Sequence, residues 1–210
     1  MKQVLKGKTF DTNAQHALAL APRYTPMAPP WIRPRRWLPS LVLLPVCLYF
    51  VLNRSDAVFL DPLNMLIHEA GHLCFFFLGE SLHAAGGTLM QILLPATLVF
   101  HFWQYHAWLG MQVSLLWLGQ NFLNISVYAA DARVQSLDLL KGRKHDWSYL
   151  LDRLGLLEYD LVFAYLSCFF ALMAFIALLA LPLYMQRRPI TTSCSSVIVL
   201  RCFTEPFLPP

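Results

Sequence analysis

Residues 68 to 72 read His-Glu-Ala-Gly-His. Helix positions four apart share a face, so His68 and His72 can direct ring nitrogens at one metal ion, with Glu69 beside them. This is the grip of a hydrolytic zinc centre. Zn2+ polarises a carbonyl and brings the pKa of water down to about 7; Glu69, without binding the ion, takes the proton and passes it to the leaving amine. The motif lies within the apolar run LNMLIHEAGHLCFFFLG. An ionisable side chain at the centre of a bilayer-spanning helix costs at least about 2.5 kcal/mol, so three in a turn and a half call for partners or a ligand. The competing reading is a hydrogen-bonded polar knot between helices.

A catalytic zinc takes three protein ligands and a water. The residues after His72 are LCFFFLGE, so the third ligand must come from another segment. Trp117, Asn121, Asn124, Tyr128 and Asp131 follow one another at steps of four, three, four and three, and so line one helical stripe. A polar stripe on an apolar helix faces protein or a cavity, and this one ends in an acid, which makes Asp131 the leading third ligand. His145 and Asp146, in KHDWSYLL, are its rivals if that loop folds back over the site. Asn121 and Asn124 are candidates for hydrogen-bonding a scissile carbonyl as oxyanion stabilisers, or else for joining helices.

Several neighbours bear on the same site. Asn64 extends the polar face one turn before His68, and Gly71 admits close approach of another helix. The pair Gly86 and Gly87, with Pro95 beyond, either exposes backbone to an extended ligand or simply packs closely. His83, His101 and His106 fall near expected span ends and receive no role; Cys74 is read as an ordinary packing residue.

The elements that must position these residues are membrane helices. Of 210 residues, 57% are hydrophobic and 13% charged, too apolar a balance for an ordinary soluble domain. Apolar segments at 37–52, 57–78, 84–103, 107–130 and 161–184 predict an all-α polytopic membrane helix bundle with about five transmembrane helices. The transmembrane domain is expected over 37–186. It is flanked by a disordered, basic, Pro-rich arm at 1–36 and a disordered tail at 187–210. Seven Lys and Arg residues precede the first span, which places the N-terminus in the cytoplasm. The loop after the fourth span, with Arg133, Lys141, Arg143, Lys144 and Arg153, agrees; Arg187 and Arg188 at the far end do not. The basic arm abuts a membrane segment, which argues against nucleic-acid binding. No secretory signal peptide is discernible, and the five cysteines suggest no disulfide.

With HEAGH in one apolar span, a glycine pair soon after and an asparagine-bearing span ending in YAADAR, the chain resembles intramembrane metalloproteases of the site-2 protease type, and more loosely small bacterial M50B-like membrane proteins. The resemblance covers about residues 57 to 135, and His68, Glu69 and His72 match the family motif. It implies zinc held by both histidines and an aspartate from a later span, a bacterial inner-membrane location, and cleavage of a transmembrane protein substrate near the cytoplasmic face. The Asn-Pro-Asp-Gly or Leu-Asp-Gly sequence common in that family is replaced here by Asp-Ala-Arg at 131–133. The second functional reading is a non-proteolytic metal-binding membrane protein, for transport, sensing or scaffolding. Neither substrate nor oligomeric state is written in the sequence.

Overall fold

Prolines at the second position of two helices and glycines with positive φ decide where the chain starts and stops its elements. The computed structural model describes residues 36–56, 58–137 and 145–186. The expected basic arm, apart from Arg36, and the expected tail therefore lie outside the described residues. Among those described, the chain forms six α-helices and no strand: α1 Leu38–Leu52, α2 Asp61–Phe75, α3 Glu80–Gln104, α4 Trp108–Ala130, α5 Asp146–Arg153 and α6 Asp160–Gln186. Pro39 and Pro62 sit in the first turns of α1 and α2, where no helical N–H is needed. A 3-10 turn, Phe76–Leu78, ends at Gly79, whose φ of +92° a side-chain-bearing residue rarely adopts.

Two boundaries differ from the sequence reading. The polar break expected at 79–83 is one residue wide, because Glu80 already opens α3 and its side chain sits at the positive N-terminal end. The loop expected from 131 to about 155 contains α5. His145 caps that helix by accepting from the Ser148 N–H, and Gly155, at φ +68°, follows its end.

Two segments, Glu80–Gln104 and Leu157–Met185, are long and apolar enough to cross a membrane. At 15 residues each, α1 and α2 extend only about 22 Å, short of the roughly 30 Å hydrocarbon layer. α4 has the length, at 23 residues, but buries Gln112, Ser114, Gln120, Asn121 and Ser126.

The helices pack as a row in which α3 lies between α2 and α4, α4 packs along α6, and α1 rests on α4 and α6. Cys47, Phe50, Leu115, Leu123, Ala171, Phe175 and Leu178 form the apolar core of the α1, α4 and α6 side. Pro182 leaves the Leu178 carbonyl without its helical donor; the Gln112 amide donates to it at 3.2 Å and to Ser40 Oγ at 2.8 Å. On the other side, Gly71 and Gly86 let α2 and α3 touch backbone to backbone, since a Cβ on Gly86 would lie 2.7 Å from the Gly71 carbonyl. Close packing, one of the two readings of the glycine pair, is what the fold uses there.

Candidate metal centre

One face of α2 carries Asp61, Asn64, His68 and His72, spaced at three, four and four residues. The last two meet Asp146, the first residue of α5. Asp146 Oδ2 lies 3.1 Å from His68 Nε2 and 3.2 Å from His72 Nε2, and the three ligand atoms lie within 4.8 Å of one another. For zinc bonds of about 2.0 to 2.2 Å, a tetrahedral site separates its ligand atoms by about 3.3 to 3.5 Å, so this trio is near the edge length required.

The hydrogen bonds behind the rings say which lone pairs face inward. His72 Nδ1 lies 2.7 Å from the His83 carbonyl oxygen, which can only accept, so Nδ1 carries the proton and Nε2 turns its lone pair toward Asp146. His68 Nδ1 is 3.0 Å from Gln91 Oε1 and is oriented likewise. Two imidazole lone pairs and a carboxylate oxygen therefore converge, an arrangement that is repulsive unless positive charge sits among them. One divalent ion satisfies all three at once, and outer partners of this kind are what orient metal-binding histidines. The donor set, two nitrogens and one oxygen, suits Zn2+.

α5 and the end of α4 hold Asp146 in place. The Tyr128 hydroxyl donates to Asp146 Oδ2 at 3.3 Å and accepts from the Asp146 N–H at 3.2 Å.

Asp131, the leading third ligand by sequence, is not brought to the histidines. Its Oδ1 accepts from the Ser136 N–H at 2.8 Å and the Ser136 hydroxyl at 2.6 Å, and its Oδ2 from the Leu137 N–H at 3.0 Å. Burial would raise its pKa, and these donors, with His145 nearby, lower it overall. Asp131 thus caps the turn that leaves α4. His145 is buried, stacks on Tyr128 with ring centroids 4.3 Å apart, and faces Asp131 Oδ2 through Nε2 at 3.5 Å. Because its Nδ1 accepts from Ser148, His145 presents no lone pair to the metal position. Of the three candidates, the geometry selects Asp146.

Glu69 and both motif histidines line a cavity of about 1080 Å³ bounded by α2, α3, α4 and α5, which also takes in Asp61, Gln120, Asn124 and Tyr128. Asn124 faces it and donates to Asp61 Oδ1 at 3.3 Å. Asn121 does not line it; its amide turns back to the Trp117 carbonyl at 3.0 Å. At about 100° per residue Asn121 is some 60° around α4 from Asn124, and the cavity faces the Gln120, Asn124 and Val127 side. His83, given no role by its position, both anchors His72 through its carbonyl and lines the cavity. Gln91 interrupts an apolar run of the sequence, and its place behind His68, like that of the His83 carbonyl behind His72, is visible only once the helices are packed.

The His68 ring lies flat against the α3 backbone at Gly87, where an added Cβ would overlap ring atoms. Gly87→Ala is therefore expected to leave the helices folded but swing His68 away, lowering the zinc content of detergent-purified protein well below one per chain. Full zinc occupancy in that variant would show that the ring does not depend on this contact.

Compared with protein-family models, with curated proteins and with solved structures, the chain matches none.

Proposed function

We propose that this chain is a membrane-embedded zinc-dependent endopeptidase that hydrolyses a peptide bond in or next to a transmembrane segment of another protein. One observation carries the reading: His68 Nε2, His72 Nε2 and Asp146 Oδ2 converge beside Glu69 at the wall of a large cavity. Bound Zn2+ supplies Lewis acidity toward a carbonyl and makes water acidic enough to attack at neutral pH. Glu69, next to the ligand His68 and lining the same cavity, takes that proton and delivers it to the leaving amine. Tyr128, stacked on His145, fixes Asp146, and Gln91 and His83 fix the rings, so the ligands need no rearrangement to act. At about 1080 Å³ the cavity slightly exceeds the roughly 300 to 1,000 Å³ usual for small ligands, and suits a length of extended chain.

The membrane setting rests on surface as well as length. Leu63, Leu66, Leu73, Phe76 and Phe77 stand exposed on the outer side of α2 and its 3-10 turn, a patch that water would not tolerate and lipid would. In this reading α3, α4 and α6 cross the bilayer, α4 with its polar side turned inward, while α1 and α2 are sunk into it as the shorter members of five embedded segments. The basic arm sets the N-terminus in the cytoplasm, as in a bacterial inner-membrane protein. The metal centre then lies toward the cytoplasmic side, where α2 and α4 end and α3 begins.

Reconstitution in vesicles with a single-span substrate tests the proposal. Cleavage is expected, stopped by a chelator and restored by Zn2+. A protein that keeps one zinc per chain yet cleaves no such substrate is a metal-binding membrane protein of another kind.

A further inference from the structure

A carboxylate that is not among the metal ligands, and that forms no ion pair among the described residues, faces the same cavity. Asp61 opens α2, seven residues before His68 and on the same face, so it stands about 10 Å from that ligand along the helix. Its orientation is fixed by a one-way chain of hydrogen bonds. Trp117 Nε1 can only donate, and does so to Asn64 Oδ1 at 2.9 Å. Asn64 must then offer its amide, which donates to Gln120 Oε1 at 2.5 Å. Gln120 in turn donates to Asp61 Oδ1 at 3.2 Å, joined there by Asn124, while the Val58 N–H holds Asp61 Oδ2 at 2.7 Å. A donor-only group starts the chain and an acceptor-only group ends it, so the network delivers a preset negative charge to the cavity wall.

Among the described residues no lysine or arginine forms an ion pair with that charge. Arg54, which also lines the cavity, donates to Cys168 Sγ at 3.1 Å. Of the other carboxylates around the metal position, Glu69 is the base, Asp146 faces the histidines, and Glu80 meets the Tyr149 hydroxyl at 3.1 Å and Arg153 at 3.6 Å. Helix joining alone would be served by neutral amides, which the bilayer interior accepts at lower cost than a carboxylate.

We propose that Asp61 is a substrate subsite that receives a cationic group, an ammonium or guanidinium, about three extended residues from the scissile bond. This rests on the hydrolase reading and adds a substrate class to it: segments with a Lys or Arg at that distance from the scissile bond.

The test needs no cleavage. An octyl hydroxamate and its analogue ending in an ammonium are titrated against the zinc-loaded protein; both chelate zinc, and only the second can reach Asp61 with a charge. The ammonium compound is expected to bind about tenfold tighter, with Asp61→Asn abolishing the difference and Asp61→Glu keeping part of it. Equal binding of the two compounds to the unaltered protein overturns the subsite. So does an Asp61→Asn variant that loses the neutral hydroxamate as well, since that marks a structural residue. Failure of both compounds on the unaltered protein strikes instead at the metal centre beneath the proposal.

Discussion

Glu69→Gln is expected to retain one zinc per chain and to lower the hydrolytic rate about 10²- to 10⁴-fold, the range by which a positioned general base accelerates proton transfer. The substitution keeps side-chain volume and hydrogen bonding but removes the group that can accept a proton. Glu69 is half-buried in the cavity wall and supplies none of the three converging ligand atoms, so metal binding has no reason to change. Metal content by elemental analysis and cleavage of the vesicle-borne substrate are to be measured on the same preparation. Undiminished cleavage would remove Glu69 as the base; zinc lost along with activity would make it part of the metal's support.

The second large effect separates two aspartates fifteen positions apart. Asp146→Ala removes a ligand atom and is expected to weaken zinc binding by more than about 100-fold, beyond the roughly 10- to 100-fold typical of losing an outer partner. Asp131→Ala is expected to keep full zinc at saturation, because its carboxylate is committed to Ser136 and Leu137. Its deficit should appear as lowered thermal stability, since two N–H groups lose their acceptor. Competition with a chelator of known affinity measures the first, and unfolding in detergent the second. Zinc lost in Asp131→Ala and kept in Asp146→Ala would reverse the assignment.

Much of this site is legible in the chain itself. The i to i+4 spacing of His68 and His72 forces both rings to one face of any helix that forms, and the cost of burying them makes a shared ligand the economical explanation. Asp146 also had a local signal. Trp147, Leu150, Leu151 and Leu154 follow a helical period, Asp146 stands at its start, Arg153 lies in its last turn and Gly155 follows. A helix beginning at Asp146 was therefore readable, and with it an acid at a helix start beside the membrane.

What sequence determined was chemistry and periodicity: an all-helical chain, a two-histidine face with a glutamate beside it, and a polar side to α4. These are local properties, set by residue type and by 3.6 residues per turn. What only the tertiary structure decided was partnership. Asp131 and Asp146 are equally able ligands by type, and the choice between them is made by their partners: backbone N–H groups capture the first and Tyr128 presents the second. The rotation of α4 that admits Asn124 to the cavity and turns Asn121 away is of the same kind, fixed by how α3 and α6 pack against it. Side-chain meetings across helices depend on packing of surfaces far apart in the chain, and no short stretch of residues encodes that.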